Sequence, residues 1–489
     1  MSDNGQLIAQ AAQALGSGNF LAARTLLGAV TRAAPGDADS WFNLGYACRQ
    51  LGDFAGAVDA YGEALRHGLS GPEAAYVNRA AILSNHLGQS EAAEADLKAA
   101  LALHPDFLPA WLNLGELHED CGRADAARAA YDRALSVDPA SGRAQARLAA
   151  LDVLAGQTGH AIDRLEQRCR RGLNRDDDAL EILFALGNCL DADGQHDQAF
   201  DTIDAANRLS ASLRRRPQRY VPSQMEALVD ALCALPAPHH DAEVATDLDE
   251  PCRALFICGM FRSGSTVFEQ LLGRHPAIAV GGEFETIPAF VHSRLAPYPA
   301  SLHGLTAASA AAMRAEHAGQ LAATDAQRHY VTDKRPDNFL HIALIKRLYP
   351  DAKFIVTRRA ALDNLISIYF LNFASGVSYS DEIANIVHYM GQYVRLMAHW
   401  TALFPGDIHF VDYEALTADP ESQLRACTDW LGLDPVLPAD VAGATAIRTP
   451  SNWQARGPLH QRSVGRAAHY RAGLARYARD LDRLARVRF

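Results

Sequence analysis

No stretch of this 489-residue chain offers about 18 uninterrupted apolar residues, so nothing in it is built to span a bilayer as a helix. MSDNGQLIAQ has neither a basic segment nor an apolar core of signal-peptide type, and a cytoplasmic location is expected. The eight cysteines are scattered, none in CxxC or metal-ligand spacing, which argues for reduced thiols rather than disulfides. A positive balance is missing too. The formal charge is −11, against general nucleic-acid binding. What is present, 49% hydrophobic and 21% charged residues, suffices for at least two buried cores.

The first half is repetitive. Trp41, Leu44 and Gly45 are followed by Gly52, Ala57, Tyr61 and Ala64; Trp111, Leu114 and Gly115 are followed by Ala127, Tyr131, Ala134 and Pro139 at matching offsets. Weaker copies run through Gly18, Ala23 and Pro35; Ala81, Ala93, Leu97, Ala100 and Pro105; Leu148, Ala161 and Leu165; and Leu186, Gly187, Ala199 and Ala206. Starts about 34 to 38 residues apart give the tetratricopeptide period. Gly45 and Ala57 are expected to be small because two helices of one repeat approach there, with Trp41 and Tyr61 filling the space between repeats. A merely alanine-rich helical stretch does not produce the Trp–Leu–Gly phase twice.

The repeats are expected to end near Asn207–Ser210, where arginines and Pro217 and Pro222 break the pattern. One more helix is expected over Gln224–Leu235, then an acidic, proline-containing linker to Pro251. From Cys252 apolar strands (Leu255–Cys258, Phe354–Thr357, Ile408–Tyr413) alternate with helices, the pattern of a parallel α/β sheet. The chain thus reads as a repeat array over 1–210, a terminal helix and linker over 211–251, and a second domain over 252–489.

That second domain opens on a phosphate loop. The strand Leu255–Cys258, the glycine-bounded loop Gly259–Gly264 and a helix from Ser265 make an anion cradle, since backbone N–H groups and the helix dipole converge there. The spacing Gly259-x4-Gly264-x-Thr266 is that of a nucleotide-triphosphate loop, but Ser265 stands where the phosphate-reaching lysine belongs, and the cation is Arg262. Such a loop grips a phosphate yet is poorly equipped to transfer one. A Gly/Ser-rich turn alone would be only a turn.

The residues from Arg262 to Thr266, with His275-Pro276 and Gly282-Glu283, resemble the 5′-phosphosulfate loop of sulfotransferases, in particular of tyrosylprotein sulfotransferases and of bacterial sulfotransferases fused to tetratricopeptide repeats. The resemblance implies an α-helical tetratricopeptide-repeat solenoid followed by an α/β P-loop-type sulfotransferase domain with a parallel sheet. It also implies 3′-phosphoadenosine 5′-phosphosulfate (PAPS) as cosubstrate, held in part by Arg262, Ser263, Gly264, Ser265 and Thr266, with no metal. Arg359 and Ser367, eight residues apart, match the family's pair for the 3′-phosphate; Arg358 lacks that spacing and reads as a solvated strand-end charge. Lys334, preferred to the adjacent Arg335, matches the lysine that meets the bridging oxygen between phosphate and sulfate. Near the C-terminus, Ser451 and Arg466 sit where the family places a serine and a lysine on the donor, within the segment with which it closes over the nucleotide. Ala467 departs from an aromatic there. From Arg448 to Phe489 ten arginines face two aspartates, a local excess that suits a polyanion.

The catalytic set implied is Glu283, Lys334 and Arg262. Sulfuryl transfer needs removal of the acceptor's proton, charge at the leaving phosphate and orientation of both partners. Glu283 is expected at the end of the second strand, where tyrosylprotein sulfotransferases keep their glutamate base; Glu285 is off that spacing. Small-molecule sulfotransferases use a histidine instead, which leaves His292 and His341 open. The acceptor is a hydroxyl of a protein tyrosine or peptide, a glycan or a lipid alcohol. A peptide or protein partner would lie in the repeat groove, or the repeats would serve assembly, homo-oligomers included. Two other readings are a P-loop small-molecule kinase, which the absent loop lysine opposes, and a repeat adaptor with a degenerate nucleotide-binding domain.

Overall fold

The computed structural model describes residues 3–214, 219–236, 252–373, 377–434 and 463–484. The chain divides into two compact units, residues 1–193 and 194–489. Among the described residues, no helix is long and apolar enough to cross a membrane.

The first unit is a helical solenoid of tetratricopeptide type, running from Asp3–Gly16 to Asp176–Ala192, each helix packing on its neighbours in the chain. The two strong copies of the pattern make the same contacts. Trp41 Nε1 donates to the carbonyl of Pro35 and Trp111 Nε1 to that of Pro105, both at 2.8 Å. A Cβ on Gly45 would stand 2.9 Å from the ring of Tyr61, and one on Gly115 would stand 2.3 Å from that of Tyr131. Glycine is required there because a fully buried tyrosine ring occupies the place of its side chain. Tyr61 therefore fills space within its own repeat, where the sequence suggested only the gap between repeats. The cluster it joins then reaches Ala75 and Ile82 of the next helix.

The second unit is built on five parallel strands: β1 (Arg253–Gly259), β2 (Ile278–Ala279), β3 (Tyr330–Lys334), β4 (Lys353–Arg358) and β5 (Ile408–Asp412), in the order β2-β3-β1-β4-β5. β1 is buried along all but its first residue, as an apolar strand with both faces covered should be, and β3 along its whole length although it ends in Thr332, Asp333 and Lys334. Leu255, Ile257 and Ile355 of the sheet pack with Phe268, Leu271 and Leu272 of the helix Ser265–Leu272, which joins the loop to the core. The chain moves to one side of β1 for β2 and β3 and to the other for β4 and β5. The C-terminal end of β1 is thus the switch point, where open α/β sheets place ligands.

Two expectations shift. β2 is only two residues long, so Glu283 lies in the loop beyond it rather than at a strand end. The helix His196–Leu213, assigned by its small-residue lattice to the repeats, falls within the second unit. The helix expected over Gln224–Leu235 spans Pro222–Cys233.

Candidate active site

The loop after β1 is shaped by three backbone demands. Gly259 has φ +149°, and a Cβ there would meet the Thr357 carbonyl at 2.5 Å. Gly264, at φ +100°, caps the helix Ser265–Leu272, and a Cβ would strike the Tyr413 ring at 2.5 Å. Between them Arg262 takes φ +67°, a left-handed conformation that costs a non-glycine residue about 1–3 kcal/mol. Its surroundings hold it there. The carbonyls of Met260, Phe261 and Arg262 accept from Ser263 Oγ (2.6 Å), Asn364 Nδ2 (2.9 Å) and Arg359 Nη1 (3.2 Å). Three oxygens that would repel an anion are thereby turned into the protein. Ser263 Oγ also lies 2.6 Å from Thr357 Oγ1 on β4. Ser265 and Thr266 are buried in the first turn of the helix.

Around this loop the structure brings Arg262, Arg359, Ser367 and Arg466 together. Arg262 Nε donates to Ser367 Oγ at 3.2 Å. Ser367, expected beside Arg359 on one anion, is thus bonded here to Arg262. Burial, then the positive charges of Arg359 and Arg466, push the Arg262 guanidinium down to about 10. Burial and Arg466 also push Arg359 down, against Tyr413, Asp363 and Glu414, which favour its charge. Arg359 lies over the Tyr413 ring at 4.8 Å, donates to the Ser463 carbonyl at 2.5 Å, and keeps a buried Nε with no hydrogen-bond partner among the described residues. Arg466 lies over the Phe370 ring at 4.6 Å. Its backbone is set by Asp363, whose carboxylate accepts from Gly465 N (2.6 Å) and Ala467 N (2.8 Å). Neighbouring guanidinium groups raise the local positive potential, which favours an anion. Ser451 lies outside the described residues.

A second group forms at the end of β3. Lys334 Nζ, on a fully buried side chain, is bonded to Glu283 Oε1, whose side chain is 38% exposed. The loop that presents Glu283 is tied to β3 by Lys334 N to the Gly282 carbonyl (2.7 Å) and by Gly281 N to Thr332 Oγ1 (2.9 Å). β3 and β4 both flank β1, so the ends that carry the two groups lie roughly 10 Å apart. Neighbouring cations of the sequence are occupied elsewhere. Arg335 pairs with Asp337 and Glu285, and Arg358 makes two 2.9 Å bonds to Asp412 rather than standing solvated. His292 is exposed on the helix Thr286–Ser293, while His341 is buried and pushed down to about 4 by burial.

The sequence pattern did not single out Glu269. It is 2% exposed, and its Oε1 accepts from Thr332 Oγ1 (2.6 Å) and Gly282 N (3.0 Å). Burial raises its pKa, opposed by Lys334 and reinforced by Glu283. No local signal marked it, since its burial is set by Thr332 of β3 and not by its own helix. Asp363 and Asn364 were missed as well, each beginning as an ordinary polar residue in the first turn of a helix.

Residues 254–436 match the model of the sulfotransferase family, and residues 8–77 and 86–151 match tetratricopeptide-repeat models. A protein of Aquifex aeolicus (strain VF5) described as uncharacterized is 26% identical over 305 residues, 59% of this chain and 39% of that protein. A putative protein-tyrosine sulfotransferase of Caenorhabditis briggsae is 29% identical over 190 residues, 37% of this chain and 65% of that protein. The chain spans less than two thirds of the length of either relative. Among solved structures, a tetratricopeptide repeat protein from Parabacteroides merdae aligns at 20% identity over 43% of this chain and 84% of its own, with a TM-score of 0.37. The chain thus joins a stretch that matches tetratricopeptide-repeat models to a parallel-sheet domain that matches the model of the sulfotransferase family over residues 254–436.

Proposed function

We propose that the protein moves a sulfuryl group from PAPS to a hydroxyl acceptor. The observation that carries this reading is the gathering of Arg262, Arg359 and Arg466 at a phosphate loop without the triphosphate lysine, with Arg359 Nε unsatisfied among the described residues. That donor set fits the phosphates of a 3′,5′-substituted nucleotide. PAPS, when bound, supplies the sulfuryl group together with a phosphate leaving group. Arg262, Ser263, Gly264, Ser265 and Thr266 hold its 5′ side; Arg359, Ser367 and Arg466, with Ser451, hold the rest. Glu283 removes the proton of the acceptor hydroxyl. Lys334 would meet the negative charge that grows on the leaving oxygen, an effect worth several kcal/mol in sites of this type. The bond between the two side chains links these roles: as Glu283 takes up a proton its hold on Lys334 weakens, and the ammonium turns to the leaving group.

For the acceptor, support comes from the relative described as a putative protein-tyrosine sulfotransferase and from repeats, which typically engage proteins: a tyrosine of a peptide or protein is the first choice, a glycan or lipid alcohol the second. Thermal shift separates this reading from a kinase. Adenosine 3′,5′-bisphosphate should stabilise the protein and ADP should not; the reverse would overturn it. Labelled PAPS incubated with lysate then tells which class of acceptor takes the label, and label in none of them would favour a non-catalytic adaptor.

A further inference from the structure

The helix His196–Leu213 is the first element of the second unit, and its buried face carries Phe200, Asp204 and Asn207. Phe200 is 1% exposed and takes the space beside Gly473, where a Cβ would stand 2.5 Å from its ring. Its ring centroid lies 5.9, 6.1 and 6.5 Å from those of Tyr369, Tyr470 and Tyr477. Asp204, 3% exposed, accepts from the hydroxyls of Tyr369 (2.6 Å) and Tyr477 (2.7 Å) and pairs with Arg208. Asn207 Nδ2 donates to the Tyr369 carbonyl at 2.8 Å. At the rim, Arg476 pairs with Asp201 at 2.7 Å.

These contacts join two elements of the anion site. Tyr369 ends the helix Ala361–Tyr369, which carries Asp363 and Ser367. Tyr470 and Tyr477 belong to the segment that carries Arg466. One buried carboxylate therefore ties the helix behind the arginines to the segment that delivers the third of them. A buried carboxylate is stable only when its oxygens are satisfied, so this junction is specific in a way that apolar packing is not.

We infer that the helix His196–Leu213 is a latch for the arginine cluster, with Asp204 a positioning residue that acts through Tyr477 and Tyr369 to keep Arg466 beside Arg262 and Arg359. The guanidinium groups repel one another, so bringing the third among them needs an outside restraint. The latch supplies it before any anion arrives, which lowers the ordering cost of binding. The consequence for affinity rests on reading the cluster as the donor's phosphate site; the latch itself does not.

The test uses the full chain with D204A, D204N, Y477F, R466A and the D204A/R466A pair, titrated calorimetrically with adenosine 3′,5′-bisphosphate. Amide exchange at Gly465 and Ala467, the N–H groups held by Asp363, is followed in parallel. D204A should weaken the nucleotide about tenfold, the worth of one hydrogen-bonded contact, and speed both amides. D204N, whose Oδ1 still accepts both hydroxyls, should stay near wild type, and Y477F should shift in the direction of D204A. The double variant should bind no more weakly than R466A, because the two act through one group. Unchanged exchange in both D204A and Y477F, or losses that simply multiply in the double variant, would overturn the latch. A wild-type chain that ignores the nucleotide would overturn the donor reading instead, and exchange at the two amides would still decide the latch.

Discussion

Replacing Glu283 by glutamine tests the chemistry most directly, because the amide keeps the shape of the side chain and loses only its charge and its ability to take a proton. The wild-type carboxylate is bonded to Lys334, whose side chain is 1% exposed, while its own is 38% exposed. Removing one partner of a fully buried pair costs about 3–5 kcal/mol, and a solvent-exposed pair is worth about 0–1 kcal/mol. The mixed burial here puts the cost at roughly 1–2 kcal/mol. The variant should therefore fold, and urea denaturation would show a modest shift. Turnover is another matter. Loss of general-base catalysis removes about 10²–10⁴ in rate. Donor affinity should stay nearly level, since Arg262 and Arg359 are bonded elsewhere and do not depend on Glu283. The assay is transfer of labelled sulfate at saturating PAPS, beside calorimetric binding of adenosine 3′,5′-bisphosphate. Near-full transfer would hand the role to Glu285 or to a histidine, and loss of nucleotide binding with turnover would make Glu283 a structural residue.

Arg359→Ala should weaken adenosine 3′,5′-bisphosphate far more than AMP, because a charged hydrogen bond is worth roughly 1.5–3 kcal/mol and its target is the 3′-phosphate; equal losses by calorimetry would remove it from that role. Glu269→Gln addresses pH. The folded-state pKa of Glu269 is raised above the usual 4.5, so the folded chain keeps a proton that the unfolded chain releases, and stability falls as pH rises above 4.5 towards the folded value. The glutamine variant escapes that loss and should gain stability relative to wild type as pH rises above 4.5 in thermal melts; a difference that does not grow with rising pH would show that Glu269 is not the group responsible. Gly115→Ala places a Cβ 2.3 Å from the Tyr131 ring and should destabilise the first unit by about 1–3 kcal/mol in urea, leaving nucleotide affinity unchanged. No loss would mean that the ring has room to shift.

Much of the site was legible in the linear pattern because its signals are local. The glycines around Arg262 answer to backbone angles, and those depend on the residue itself. Lys334 could be ranked above Arg335 by resemblance, and the structure adds a cause, since Arg335 is taken up by Asp337 and Glu285. Glu269 was hidden because an acidic residue on a short amphipathic helix looks the same whether it faces water or a buried threonine hydroxyl 63 residues away in the chain. The bond from Arg262 to Ser367 had no signal in the sequence: spacing along a helix tells which residues share a face, not which loop residue meets them.

The sequence by itself determined the two architectures and the loop: a repeat lattice of glycines and tyrosines, then a strand, a positive-φ turn and a helix, each specified by short-range sterics and periodicity. Tertiary structure alone decided where the helix His196–Leu213 belongs. Its small-residue stripe announces a buried face, and such a stripe is equally suited to a neighbouring repeat or to Tyr369, Tyr470 and Tyr477. Apolar burial is non-directional, so periodicity reports that a face is covered and not by what. The choice was made by Asp204 and Asn207, polar groups that must find particular partners when buried and find them more than 160 residues further along the chain.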